Sequence, residues 1–109
     1  MDVVNLKISK RAGLTKIRQS RGLCVGMGIG TTLEDWWGGD ITTAVIAHLA
    51  HTTPEEFRFP GAEFNSHVTF STAQGAPPRV DGSMAAGNGP RLGIPPGMDV
   101  PGSPLILVR

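Results

Sequence analysis

An amine and two carboxylates stand where two short segments of this 109-residue chain end. Lys7 closes the apolar segment that starts at residue 2, and Glu34 and Asp35 close the segment that starts at residue 29. Charged groups at the ends of buried strands lose hydration free energy, and in an α/β fold that edge of the sheet is where sites are built. We therefore predict that Lys7, Glu34 and Asp35 lie together as the chemical centre.

The segments that position these residues alternate between strand and helix. The predicted order is strand 2–8, helix 16–27 capped by Thr15, strand 29–33, helix 41–51 capped by Asp40, and residues 55–59 leading into a third short strand. Such a βαβαβ unit forms a parallel sheet with right-handed crossovers. The first strand shows no polar alternation, so we expect it to be buried on both faces.

Apolar stripes at helical period support both helices. The first stripe consists of Leu14, Ile17, Cys24 and Met27, with Lys16, Arg18 and Arg21 facing water, and the second consists of Ile41, Ala44, Val45, His48 and Leu49. Because His48 lies on an apolar stripe, we interpret it as a hydrogen-bonded core histidine rather than a metal ligand.

Composition and charge argue against several classes of protein. The net charge of +1 gives no general case for nucleic acid, and no apolar run approaches the ~18 residues of a membrane span. The single Cys24 excludes an internal disulfide and a cysteine-based zinc site. Because no export signal is evident, we expect a soluble cytoplasmic protein that binds neither nucleic acid nor membrane.

One cluster of positive charge keeps a nucleic-acid alternative open. Six of the ten Lys and Arg residues precede Leu23, opposed there only by Asp2. Three of the six fit a solvated helix face, which is the interpretation that we prefer. Salt-dependent binding to a nucleic acid would support the alternative.

The chain divides by composition near residue 72. Residues 73–109 are rich in glycine and proline, and a loop-rich segment with so little periodicity rarely folds alone. The three strands of residues 1–72 cannot close a barrel, and as an open sheet they leave two edges exposed. We therefore expect both regions to pack on a further part of a larger protein.

A set of short motifs resembles the C-terminal part of the enolase superfamily, in its mandelate racemase/muconate lactonizing enzyme branch. Within that branch the chain is most similar to hydroxyproline dehydratases and proline-betaine epimerases. The motifs are VNLKISK (4–10), GLT (13–15), LED (33–35), WGGDI (37–41), EFNS (63–66), GAP (75–77), RVDG (79–82), MAA (84–86) and GI (93–94).

The resemblance implies an α/β fold, a modified TIM barrel with a separate capping domain. Residues 1–72 would supply barrel strands six to eight, and residues 73–109 would return to the cap. The N-terminal barrel strands and the capping domain would be the missing partners, in a protein that forms a homo-oligomer. Active sites of such barrels lie at the carboxyl ends of the strands, which agrees with the positions of Lys7 and Glu34.

The resemblance also implies a reaction, the removal of the proton α to a carboxylate with Mg²⁺ as cofactor. Lys7 matches the sixth-strand lysine that acts as a catalytic acid or base. A lysine in water has a pKa of about 10.4, so a lysine base near neutral pH needs burial or nearby cations. The family's metal ligands lie on strands three to five, so we expect the 109 residues alone to hold no metal ligand set and to be inactive.

The substrate-binding residues implied by the resemblance are Glu34, Asp35 and Glu63, around an amino or ammonium group, and Trp37. A tryptophan ring facing a cation contributes roughly 0.5–2 kcal/mol. Three of the implied site residues have a structural alternative: Lys7 as a strand-end lysine that reaches to solvent, Asp35 as a loop-stabilising acceptor, and Trp37 as packing between barrel and cap.

The expected function is thus that of the C-terminal part of a Mg-dependent racemase, epimerase or dehydratase. Its substrate would be a carboxylate, a proline derivative or another amino acid. Glu63 stands where close relatives more often have Asp, and two tryptophans replace Thr-Trp, which leaves the substrate open. The alternative is a non-catalytic chain that docks on a full-length barrel through its exposed strand edges.

Overall fold

The computed structural model describes residues 2–35, 38–62, 67–97, 99, 102, 103 and 106. The elements in chain order are β1 (Val3–Lys7), a 3-10 turn (Ser9–Arg11), α1 (Leu14–Gly26), β2 (Gly30–Glu34), α2 (Asp40–His51), a second 3-10 turn (Glu55–Phe57), β3 (Arg79–Val80) and β4 (Ser83–Met84). The predicted order of strand, helix, strand and helix is therefore present through α2.

β1 and β2 form a parallel pair in which Lys7 lies opposite Glu34. Parallel strands need a crossover connection, and α1 supplies it. The same register pairs Leu6 with Leu33, and both leucines are almost fully buried. Side chains alternate between the two faces of a strand, so the leucines and the Lys7–Glu34 pair lie on opposite faces of the sheet.

The core lies between the sheet and the two helices. Its buried side chains are Leu6, Ile8, Ile17, Leu33, Ile46 and Leu49. The expectation that β1 is buried on both faces is wrong, because Asn5 is exposed and Lys7 is only half-buried. Within the described residues the helices cover one face of the sheet, so the other face keeps polar side chains in contact with solvent.

Both helices begin directly after a glycine. α1 begins at Leu14 after Gly13, and α2 begins at Asp40 after Gly39, so no side chain caps either helix from that position. The predicted capping roles of Thr15 and Asp40 are therefore wrong, since both residues lie within the first turn. Gly13 has a φ of 104°, which glycine adopts readily, and this turn starts α1 before Thr15.

The apolar stripes of the helices are only partly buried. In α1, Ile17 is fully buried, whereas Leu14 and Met27 are 42% and 66% exposed. In α2, Leu49 is buried and Ile41 is exposed. The sheet has only two strands within the described residues, so it covers only part of each apolar stripe. Residues at the edges of the stripes therefore remain exposed to solvent. Neither helix in the described ranges combines the length and apolar character that crossing a membrane requires.

Arg21 was predicted to face water, but it binds the end of α2. Its Nη1 donates to the carbonyl oxygen of Thr52 at 2.6 Å and to the hydroxyl of the same residue at 2.9 Å. The last carbonyl groups of a helix lack partners within the helix and carry partial negative charge, so a cation stabilises them. The sequence pattern missed this contact because it joins residues 31 positions apart.

We expect Arg21→Met to lower the free energy of unfolding by about 1 kcal/mol, because it removes hydrogen bonds from a cation to the end of α2. Arg18→Met is the matched control, since Arg18 is an exposed residue of the same helix. Urea denaturation of both variants measures the difference. Equal stability of the two variants would argue against this role of Arg21.

The third predicted strand is reduced to one bridge within the described residues. Residues 55–57 form the 3-10 turn, and Arg58 alone pairs with Thr31, in the parallel sense. Phe59 then donates its backbone N–H to the carbonyl oxygen of Thr31 at 3.0 Å. The next residue, Pro60, has no N–H group to extend the ladder.

The first residue of α2 anchors the chain at residues 71–73. Asp40 is 2% exposed, and its Oδ2 accepts hydrogen bonds from Ser71 Oγ at 2.6 Å, from Thr72 N at 2.6 Å and from Ala73 N at 3.0 Å. A buried carboxylate needs such partners, because it loses its hydration shell. Asp40 therefore has a tertiary role in place of the predicted local one.

A second polar contact joins α2 to the glycine- and proline-rich half. His48 is half-buried, and its Nε2 lies 3.1 Å from the carbonyl oxygen of Leu92. The prediction of a hydrogen-bonded histidine is therefore confirmed. The β3–β4 hairpin lies in this half and was not predicted. The division into residues 1–72 and 73–109 stays a prediction.

Candidate functional site

The candidate site starts from an ion pair at the ends of β1 and β2. Lys7 Nζ lies 2.7 Å from Glu34 Oε1, and the two side chains are 27% and 16% exposed. Their attraction is stronger than in bulk water, because the surrounding protein lowers the effective dielectric constant. The parallel register thus brings together the amine and the first carboxylate of the predicted centre.

Asn5 is a third member of this cluster, and sequence reasoning missed it. Its Nδ2 donates to Glu34 Oε1 at 2.6 Å, so Asn5 and Lys7 share one acceptor. Residues two apart in a strand face the same side of the sheet, which places Asn5 on the face of Lys7. The signal in the sequence is a polar residue two positions before the strand-end lysine, because strand side chains alternate between faces with a period of two.

The pKa of Glu34 lies below its ordinary value of 4.5, chiefly because Lys7 donates a hydrogen bond to the carboxylate. Burial acts in the opposite direction, the Asn5 hydrogen bond and the charge of Lys7 lower the pKa further, and the charge of Asp35 raises it. Glu34 is therefore ionised at neutral pH and can attract a cation.

This lowered pKa predicts how Glu34 contributes to stability as pH changes. A carboxylate with a lower pKa in the folded state stabilises the fold above its unfolded pKa, and that contribution is lost as pH falls through the folded pKa. We expect the stability difference between the protein and Glu34→Gln to shrink below pH 4.5. Urea denaturation across this range measures it, with Glu55→Gln as an exposed control. A difference that is independent of pH would contradict the prediction.

Asp35 lies one residue beyond β2 and is held by the turn that follows β1. It is 7% exposed, and its Oδ1 accepts hydrogen bonds from the backbone N–H of Ser9 at 3.2 Å and from the Ser9 hydroxyl. These bonds tie the ends of the two strands together. The geometry favours the loop-stabilising alternative for this oxygen, and the substrate role of Asp35 stays a prediction.

The other predicted substrate-binding residues, Trp37 and Glu63, lie outside the described residues. Their roles around an ammonium group stay predictions.

A magnesium ion prefers oxygen ligands, chiefly carboxylates. In the ranges that the structure describes, no group of three or more His, Cys, Asp or Glu side chains is placed to hold a metal ion. One oxygen of Glu34 is shared by Lys7 and Asn5, and one oxygen of Asp35 is bound by Ser9. These residues do not fit a Mg²⁺ site by themselves.

Comparisons with known proteins bear on this site. The family described as enolase C-terminal domain-like matches residues 1–100. A cis-3-hydroxy-L-proline dehydratase from Roseibium aggregatum is 55% identical over 105 residues, which are 96% of this chain and 29% of that enzyme. The chain therefore spans less than a third of the length of this relative.

Solved structures share the arrangement of the chain. A mandelate racemase/muconate lactonizing enzyme from Roseovarius nubinhibens ISM superposes with a TM-score of 0.90 at 35% identity, over 96% of this chain and 28% of that one. A member of the enolase superfamily from the same organism, complexed with magnesium, superposes with a TM-score of 0.82 at 29% identity. That match covers 87% of this chain and 26% of the other.

Proposed function

The chain belongs to the enolase C-terminal domain-like family, and on that premise we propose that it supplies part of the active site of a racemase, epimerase or dehydratase. The reaction removes the proton α to the carboxylate of a proline derivative or another amino acid. One observation carries the proposal: Lys7 and Glu34 form an ion pair at the carboxyl ends of adjacent parallel strands, the edge where barrel enzymes build their sites.

Lys7 is the acid or base in this proposal. As an amine it takes the α-proton, the C–H bond breaks, and the electron pair passes toward the substrate carboxylate. As an ammonium ion it returns a proton, to the α-carbon in a racemase or epimerase, or to the departing hydroxyl group of the substrate in a dehydratase, which leaves as water. The ion pair with Glu34 keeps the protonated form near the strand ends, where the side chain of Lys7 is half-buried.

Glu34 is the group that we propose for the substrate's ammonium ion. Its lowered pKa keeps it ionised at neutral pH. The 55% identical relative is named for cis-3-hydroxy-L-proline, a substrate with a ring nitrogen, which supports a cation in this site. Asp35, Glu63 and Trp37 complete the proposed substrate-binding set.

This chain matches only 29% of the length of the relative, which supports a proposal for the rest of the enzyme. We propose that this chain forms barrel strands six to eight and a segment that returns to a capping domain. The missing barrel strands and the cap are then its partners in a cytoplasmic homo-oligomer. Mg²⁺ is the proposed cofactor, with ligands outside this chain, and the 109 residues alone are inactive.

A second candidate is a docking module without catalysis. Within the described residues β1 pairs only with β2, so its other edge is open to pair with a strand of a full-length barrel. The intact mass of the protein made in its native cell separates the candidates. A mass several times 11.5 kDa favours the enzyme, and a mass near 11.5 kDa favours the docking module.

The test of the enzyme is solvent exchange of a substrate α-proton. The native-length protein, meaning the protein as made in its native cell, is incubated in deuterated water with cis-3-hydroxy-L-proline or L-proline. We expect deuterium to enter the α-position of recovered substrate, or water to be eliminated from the hydroxylated one, only in the presence of Mg²⁺ and not with the 109-residue chain alone. The proposed function would be contradicted if neither α-proton exchange nor elimination of water occurred with any amino acid or its hydroxylated derivatives.

A further inference from the structure

Asn5 has no part in the proposed reaction, yet it makes one of the two hydrogen bonds to the carboxylate beside Lys7. Asn5 Nδ2 lies 2.6 Å from Glu34 Oε1, and Lys7 Nζ lies 2.7 Å from the same oxygen. A carboxylate oxygen accepts two hydrogen bonds through its two lone pairs, so both donors can be accommodated at once.

The two donors differ in how firmly they can hold Glu34. Lys7 reaches it through a long flexible side chain, and a partly exposed ion pair of that kind adopts several geometries. Asn5 is exposed, but its short side chain lies on the strand beside β2 and has fewer rotatable bonds than that of Lys7, so fewer conformations compete with its hydrogen bond. The position of the carboxylate is therefore set mainly by Asn5.

The second oxygen of Glu34 has a different environment. Within the described residues, Oε2 makes no hydrogen bond, while Oε1 carries both. The side chain is 16% exposed, so part of it is open to solvent. Holding Oε1 against Asn5 and Lys7 thus presents Oε2 as the acceptor for another cation.

We infer that Asn5 is a positioning residue, which holds the Glu34 carboxylate beside Lys7 and presents its second oxygen to the ammonium group of the substrate. The substrate part of this inference rests on the proposed function, whereas the placement of Glu34 rests on the geometry of the strands. The inference predicts that Asn5 acts on recognition of a cation and on the titration of Glu34.

The first test follows the carboxyl carbon of Glu34 by NMR as pH is varied in the native-length protein. Asn5→Leu removes the donor at similar size, and we expect the pKa of Glu34 to rise because this hydrogen bond helps to lower it. Asn5→Asp keeps a polar side chain and adds a like charge, so the rise is larger. Val3→Thr, on the same face two residues earlier, is the control that leaves the pKa unchanged.

The second test compares two ligands that differ in one charge. L-proline carries a ring ammonium, and cyclopentanecarboxylate has the same ring with carbon in that place. We expect Asn5→Leu to raise the Kd of L-proline about ten-fold, which corresponds to about 1.4 kcal/mol. The Kd of cyclopentanecarboxylate should not change. In turnover, KM rises while kcat changes little, which a general loss of structure would not produce.

Either of two results overturns the inference. One is a Glu34 titration in both Asn5 variants that matches the parent, and the other is an equal loss of affinity for both ring compounds. If the parent protein turns over no substrate, the proposed function fails. The Glu34 titration then still decides whether Asn5 positions the carboxylate, because it requires no turnover.

Discussion

We expect Lys7→Ala to lower the rate of α-proton exchange by about 10²- to 10⁴-fold in the native-length protein, the usual effect of removing a general acid or base. The amine lies 2.7 Å from the carboxylate that is proposed to bind the substrate's cation, so both groups contact one small region. Alanine leaves no group there that can carry a proton. Deuterium incorporation followed by NMR measures the rate.

Lys7→Arg separates proton transfer from the ion pair. A guanidinium retains the positive charge beside Glu34 but does not lose its proton in proteins, so it cannot act as a base. We expect exchange to be lost in this variant although the fold is kept. Lys10→Ala is the control, since Lys10 is an exposed lysine of the turn after β1. If the exchange rate of Lys7→Ala stayed within ten-fold of the parent rate, Lys7 would be a strand-end lysine that has no catalytic role.

Asp40→Ala should have the largest effect on stability, a loss of about 3–5 kcal/mol in the free energy of unfolding. The buried carboxylate accepts hydrogen bonds from Ser71, Thr72 and Ala73, and two of the donors are backbone N–H groups. Alanine removes the acceptor from a buried donor at Ala73 and a half-buried one at Thr72. Hydrogen bonds to a charged group contribute about 1.5–3 kcal/mol each, and an unsatisfied buried donor costs about 1–3 kcal/mol. Asp40→Asn keeps an oxygen but loses the charge, so its effect is smaller.

Amide hydrogen exchange measures this loss at the residues concerned. The backbone N–H groups of Thr72 and Ala73 are protected by the Asp40 carboxylate, so they exchange faster in Asp40→Ala. Asp2→Ala is the control, because Asp2 is an exposed aspartate near the chain start. Unchanged protection at these two amides would show that Asp40 does not anchor the segment after α2.

The pairing of Lys7 with Glu34 could be predicted from the sequence, because it depends on local order alone. Strand, helix and strand in succession form a parallel pair, and the last residues of such strands lie at one edge. The two helices were predictable for the same reason, since their apolar period is a property of neighbouring residues. The alternation of side chains along a strand also predicts that Asn5 lies on the same face as Lys7. The apolar residues around Asn5 hide this signal in the sequence.

The contacts of Asp40 and Arg21 were decided by the tertiary structure. Asp40 binds a segment that begins 31 residues later, and Arg21 binds the end of a helix that is separated from it by a strand. No local pattern marks these partners, because a capping aspartate and a buried anchor have the same neighbours in sequence. The sequence by itself determined the elements and their order, while the burial of each charge depended on which distant donors the fold brought within hydrogen-bond distance.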